Sequence, residues 1–221
     1  MKSICSQRLS KNVLIVDLCG TLIGENTTNA FIDTWLQLRG WRRTMRAVCG
    51  GKRPTSVLAL MGLSREYLYS RAEQYVEDRI ERFGNPVVLR AIREAQSVGT
   101  PVYLATASLD PIAHAVTRQL GFTGVVCARL RYCGKNKLCA GVFAWDTTGK
   151  KLKNLQTIVP LLLLQHATVY TDNWEDVDLL RVAKCVYFYG ERQDLPSLTS
   201  REIHKITFLA RVGKRRTNEC N

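Results

Sequence analysis

The segment Val13-Leu-Ile-Val-Asp17-Leu-Cys19-Gly20-Thr21-Leu22 sets a carboxylate directly after an apolar, β-branched run. Such a run reads as a strand buried on both faces, and Gly20-Thr21 then turns the chain. Ligands of open α/β sheets bind outside the carboxyl ends of strands, so Asp17 stands where chemistry would occur. Alone, Asp17 also fits an aspartate that starts a turn before glycine. Three later segments carry polar groups at comparable places: Leu104-Ala-Thr106-Ala-Ser108, Lys151, and Tyr170-Thr-Asp172-Asn-Trp-Glu-Asp176. Taken singly, Thr106 suits a strand-end cap, and Lys151 a surface lysine beside Lys150 and Lys153. Asp172 and Asp176 suit a turn and a helix N-terminal charge.

The elements around these segments alternate. Val102–Thr106, Val125–Tyr132, Leu138–Trp145, Ala167–Thr171 and Val182–Tyr189 read as strands, the second and third joined by a hairpin at Cys133-Gly-Lys-Asn. Asn85-Pro86 starts a helix, with Asn as its cap and Pro at its first position, and Gly99 ends it. Asp110 to Leu120 reads as a helix closed by Gly121, and Lys151–Leu164 as one helix with Leu152, Leu155 and Ile158/Val159 on its apolar face. Strands separated by helices predict an α/β fold with a doubly wound parallel sheet. Residues 25–84 show no strand pattern. Phe31, Trp35, Leu36 and Leu38, then Tyr67, Leu68, Ala72, Tyr75 and Val76, fall near helical spacing, with a break at Gly50-Gly51-Lys-Arg-Pro54. The predicted division is therefore a core of residues 1–24 and 85–204, a small helical insertion at 25–84, and a basic tail at 205–221.

Composition bounds the function. At 221 residues and 46% hydrophobic content, the chain can bury a substantial core. No apolar run approaches the ~20 residues of a membrane span, Leu161–Leu164 being the densest. Val13–Val16 is too brief for a signal-peptide core and is interrupted by Asp17, so a cytoplasmic location is expected. The eight cysteines read as reduced thiols. Cys127, Cys133 and Cys139 lack the paired spacing and nearby histidine of a zinc site. The net charge of +13 implies attraction to anions: phosphorylated metabolites, nucleic acid or an acidic membrane surface. Arg39, Arg42, Arg43, Arg46, Lys52 and Arg53 form a stretch without an acidic residue, and only Trp41 is placed there for base stacking. A second basic stretch, Arg211-Val-Gly-Lys214-Arg215-Arg216, lies in the tail.

Asp17-Leu-Cys-Gly-Thr-Leu, Leu104-Ala-Thr106-Ala-Ser108, Lys151 and Tyr170-Thr-Asp172-Asn-Trp-Glu-Asp176 together resemble the four ordered motifs of the haloacid dehalogenase superfamily, in its phosphoserine-phosphatase-like branch. The resemblance runs from about residue 12 to 198, and residues 25–84 occupy the place of that branch's helical cap. It implies a Rossmann-like core and a magnesium-dependent hydrolase of a small phosphorylated metabolite. Asp17 would be the nucleophile, forming an aspartyl-phosphate. Mg2+, a hard cation, would take Asp17, the main-chain carbonyl of Cys19 and Asp172, with Asp176 behind them or reached through water. Thr106 would donate its hydroxyl to a phosphoryl oxygen, and Lys151 would offset developing charge. Gly20, Thr21 and Ser108 would line the substrate, Gly20 through close backbone approach. His114, inside a helix, has no role.

One position departs from the pattern. Phosphatases of this superfamily generally carry a second aspartate two residues after the nucleophile, as general acid and base. Cys19 stands there instead. A thiol with an ordinary pKa of ~8.5 could donate a proton at neutral pH but is less suited to activating water. Losing such help costs ~10²–10⁴-fold in rate. Three readings follow: a slow magnesium-dependent phosphatase; a pseudo-phosphatase that binds a phosphorylated ligand or protein partner without turnover; or a binder of membrane or nucleic-acid surfaces through residues 39–53. The first is favoured.

Overall fold

The apolar run at Val13 becomes the centre of a seven-stranded sheet. A computed structural model describes residues 12–49, 55–195 and 198–211. Lys52, Arg53 and the basic tail beyond Arg211 lie outside the described residues. The strands are β1 (Leu14–Val16), β2 (Val102–Leu109), β3 (Gly124–Cys133), β4 (Leu138–Trp145), β5 (Thr168–Thr171), β6 (Cys185–Tyr189) and β7 (Ile206–Leu209). Their spatial order is β4-β3-β2-β1-β5-β6-β7. All neighbours pair in parallel except the β3–β4 hairpin. In β1, Leu14 sits opposite Val102 on one side and Thr168 on the other, so β1 and β5 end side by side along one edge while β2 runs on past them to Leu109. The connections leave β1 in opposite directions to β2 and β5, which opens a crevice at that edge.

Alternation along β1 assigns its faces. Leu14 and Val16 join an apolar cluster with Leu104, Ile112 and Val116, whereas Val13 and Ile15 join Leu155, Val169, Leu180 and Phe188 on the opposite face. Helices cover both sides: α1 (Thr27–Ala30), α2 (Trp41–Cys49), α3 (Arg65–Phe83), α4 (Pro86–Ser97), α5 (Asp110–Leu120), α6 (Lys151–Leu155), α7 (Leu161–Leu164), α8 (Val177–Val182) and α9 (Ser200–Ile203). This is the doubly wound α/β architecture expected from the alternating pattern.

The insertion is helical, as its spacing predicts. α1 runs into a π-type turn over Phe31–Trp35, α2 and a 3₁₀ segment at Thr55–Leu60 follow, and α3 closes it. Ser64 caps α3 by accepting from the Tyr67 amide, and Leu68, Ala72, Tyr75 and Val76 form its buried stripe. Tyr75 meets the rings of Phe31 and Trp35 at 5.3 and 5.8 Å. Phe31, Leu68 and Tyr75 share one apolar cluster with Val16 and Leu104. The insertion is thereby fastened to the sheet rather than held on a loose stalk.

Two expectations need correction. The helix read over 151–164 is two pieces, α6 and α7, separated by residues that lead into Pro160. Proline lacks an amide donor and disfavours helix in the residue before it, which outweighs the apolar spacing. The core also continues past residue 204, because Ile206–Leu209 pairs with β6 as an edge strand. Among the described residues no helix is long and apolar enough to cross a membrane.

Candidate active site

Asp17 emerges where β1 stops pairing, its amide still donating to the Tyr170 carbonyl at 2.9 Å. The next turn is tied by Gly20 N to the Ile23 carbonyl and by the amides of Leu22 and Ile23 to the Leu18 carbonyl. These bonds use the carbonyls of Leu18 and Ile23, not that of Cys19. Gly20 has φ +71°, and a Cβ there would stand 1.9 Å from Asp172 Oδ2. Only glycine lets the loop turn left-handed while the carboxylate from β5 lies against it.

Asp17 is 6% exposed. Its Oδ1 accepts from the Leu18 amide at 2.7 Å, and its Oδ2 accepts from Lys151 Nζ at 2.8 Å and from Thr171 Oγ1 at 3.4 Å. Lys151, the first residue of α6, also donates to Asp176 Oδ2 at 2.8 Å, and Thr171 donates to the same oxygen at 2.9 Å. One buried ammonium thus bridges two buried carboxylates. Burial pushes Asp17 up to about 7; Lys151 opposes this, while Asp176 and Asp172 add to it. Burial opposes the charge on Lys151, but Asp17 and Asp176 outweigh it and hold its pKa above the usual lysine value. Asp172 is raised by burial against the opposing Thr21 hydrogen bond and Lys151.

A cleft of about 590 Å³ opens above these groups. Asp17, Cys19, Gly20, Thr106, Ser108, Lys151 and Asp172 line it, and the cap adds Glu25, Asn26, Thr28, Asn29 and Ser56. The Thr106 hydroxyl accepts from the Ser108 amide at 3.0 Å, which leaves its proton available to an anion in the cleft. Thr21 and Asp176 do not line this cleft. Thr21 is fully buried and donates to Asp172 Oδ1 at 3.2 Å, so it positions a carboxylate instead of touching substrate. Asp176 sits behind Lys151 with Oδ2 committed to Lys151 and Thr171.

Cys19 faces hydroxyls. Its Sγ lies 3.1 Å from Thr27 Oγ1 and 3.4 Å from Ser108 Oγ, and those two hydroxyls bond each other. Burial, and then the neighbouring Asp17 charge, pushes the Cys19 thiol up, so it stands protonated at neutral pH.

The donor set suits a hard divalent cation. Asp17 and Asp172 converge on one cleft with a single ammonium, Lys151, against the three carboxylates of Asp17, Asp172 and Asp176. The negative balance and the all-oxygen chemistry fit magnesium, which binds through one or two carboxylates and keeps several waters. No group of three His, Cys, Asp or Glu side chains arranged to hold a metal occurs among the described residues. The remaining protein oxygen would be the Cys19 carbonyl.

A family model described as haloacid dehalogenase-like hydrolase matches residues 14–181. The chain belongs to the haloacid dehalogenase-like hydrolases. No curated protein is similar to it in sequence. Among solved structures, a protein of unknown function from Bordetella pertussis Tohama I superposes with a TM-score of 0.65 at 16% identity, over 80% of this chain and 89% of that one. A cytosolic 5'-nucleotidase IIIB bound to cytidine gives 0.62 at 12% identity, over 91% and 81%. A phosphoserine phosphatase in apo form gives 0.59 at 15%, over 89% and 98%. At these identities the likeness is one of fold.

Several residues of this hydrolase's site escape sequence reasoning. Thr27 and Thr28 follow the N-cap Asn26, where hydroxyls read as ordinary capping residues, yet both meet Ser108. Thr171 precedes Asp172 and reads as a strand residue. Thr147 lies in a loop and donates to the Thr106 carbonyl at 2.8 Å. A cue for Thr171 is its place at the end of β5, directly before the acidic motif positions Asp172 and Asp176, where a buried hydroxyl needs a partner.

Proposed function

We propose that the chain is a magnesium-dependent phosphatase that hydrolyses a small phosphomonoester through an aspartyl-phosphate on Asp17. The observation that carries this reading is the convergence of Asp17, Asp172, Thr106 and Lys151 on one cleft, delivered by the adjacent strands β1, β5 and β2 and by the start of α6. An Asp17 oxygen attacks phosphorus and the ester oxygen–phosphorus bond breaks. The Cys19 thiol or water supplies the leaving oxygen's proton. Water then attacks phosphorus and loses its proton to solvent, the aspartyl oxygen–phosphorus bond breaks, and phosphate and the Asp17 carboxylate are released. Thr106 and Lys151 bear on the phosphoryl oxygens during both steps, the lysine supplying positive charge. Magnesium, held by Asp17, Asp172 and the Cys19 carbonyl, would let one anion approach the other.

Cys19 sets the tempo. With its pKa raised, the thiol is reprotonated from solvent after any donation, so it is protonated again when water attacks and offers that water no base; hydrolysis of the intermediate is therefore slow. The same residue favours a second reading, binding of a phosphorylated ligand without turnover. Phosphate release from a panel of phosphomonoesters, with magnesium or EDTA, separates the two. The phosphatase reading expects EDTA-sensitive release that Asp17→Asn lowers by about 10⁴-fold or more, since an amide is neither nucleophile nor good ligand. No release across the panel, with a phosphate analogue still bound in the presence of magnesium, would establish the second reading.

A further inference from the structure

A second concavity, about 690 Å³, lies in the cap beside the catalytic cleft, and Asn29 lines both. Its wall carries Arg39, Arg43 and Arg46 with one acid, Asp33. Arg46 is committed: it pairs with Asp33, donates to Asn29 Oδ1 at 2.9 Å and reaches the Ser56 carbonyl at 3.4 Å. It braces the junction between the two clefts. Arg39 and Arg43 have no ion pair among the described residues. The chain reaches them through Gln37, whose φ of +47° is uncommon for a residue with a side chain. Two unpaired guanidiniums on one concave surface repel each other and attract an anion, which Arg can grip through paired N–H donors.

We propose that this concavity is a subsite for a second anionic group on the substrate, held by Arg39 and Arg43 while the scissile phosphate lies at Asp17. The inference rests on the phosphatase reading and narrows its substrate class. Preferred substrates are phosphomonoesters whose leaving group ends in a second phosphate or in a carboxylate. The charge around the catalytic cleft supports a remote second anion. Glu25 lines that cleft but is held by Arg79 at 3.1 Å and Tyr75 at 2.9 Å, and the cleft's one cation among the described residues, Lys151, is committed to Asp17 and Asp176, so no free positive charge there receives a second anion close to the ester. Beyond Asn29 such charge is present, with Arg39 and Arg43 facing solvent. A substrate with an anion at each end matches that distribution.

The test is calorimetric binding, with magnesium present, of three non-hydrolysable probes: a simple alkylphosphonate, α,ω-alkane bisphosphonates of increasing length, and ω-carboxyalkylphosphonates. In the wild-type chain, one bisphosphonate length should bind about tenfold tighter than the alkylphosphonate, a step of ~1.4 kcal/mol. Two equivalent ends alone give about twofold. In the double variant Arg39→Gln, Arg43→Gln the ratio should fall to about twofold, and in wild type it should shrink with added salt. The carboxylate series tells whether the second group must be phosphate or only negative. Bisphosphonate and alkylphosphonate binding within twofold of each other in wild type would overturn the subsite while leaving the phosphatase reading in place. No binding of any phosphonate would overturn both. Both arginines are exposed, so the variant should fold normally.

Discussion

Charge is handled in opposite ways at the sheet edge and in the cap. At the edge, Asp17, Lys151 and Asp176 are each less than a tenth exposed and are joined by 2.8 Å contacts. In the cap, Arg39 and Arg43 stand in solvent with no ion pair among the described residues, whereas Arg46 beside them is tied down to Asp33. Buried charges cannot be left uncompensated, so each member of the edge network fixes the others. Solvated charges cost little to hold apart and are free to meet a ligand. On the reading proposed above, the reaction belongs to the first region and selectivity to the second.

Substitution should show this contrast most strongly at Lys151. Lys151→Met leaves Asp17 and Asp176 buried without their shared cation and should destabilise the protein by about 3–5 kcal/mol. Urea unfolding without metal measures it, and added magnesium should recover part of the loss. By the same assay, Arg39→Gln and Arg43→Gln should each change stability by about 0.5 kcal/mol or less. Similar losses in both regions would break the contrast.

A pH series sharpens it. Asp17 is raised to about 7 in the fold, mainly by burial, from an ordinary value of 3.8. Between those values the folded chain keeps a proton that the unfolded chain has released. The resulting stability is fully present below the ordinary value and is lost as pH rises through about 7. Metal-free protein should therefore unfold at lower urea concentration at pH 8 than at pH 5, and magnesium should narrow the gap. A midpoint that is flat or rises with pH would mean that Lys151 already satisfies Asp17.

The sheet edge was the more legible region in the sequence. Val13–Val16 before Asp17, with Gly20-Thr21 after it, marks a buried strand delivering a carboxylate, and the structure puts Asp17 there. Asp172 is recognisable for the same reason, because strand ends are where side chains can leave a parallel sheet, whereas Thr106 lies within β2 and Lys151 opens α6. Asp176 and Thr21 belong to the site region but support its other members, a distinction that spacing cannot make because it depends on which oxygen Lys151 or Asp172 presents. Pro160 was visible as a helix breaker, yet the apolar spacing through Leu164 concealed its effect. Ile206–Leu209 is a four-residue edge strand and too short to declare itself. The cap was least legible. Arg39–Arg53 looks free of acid in sequence, but folding brings Asp33 from the preceding turn onto Arg46. Long-range pairing of that kind leaves no local pattern.

The account's central claim is that Asp17 carries the phosphoryl group and that Cys19 makes its release slow. Rapid-quench mass spectrometry during turnover of a magnesium-supported substrate with a good leaving group tests it most directly. The account predicts a burst of leaving group approaching one per active site, with a phosphate adduct on the peptide containing Asp17 that hydroxylamine removes. In Cys19→Asp the burst should disappear as the second step accelerates. Steady turnover with no adduct on that peptide, in wild type, would contradict the claim.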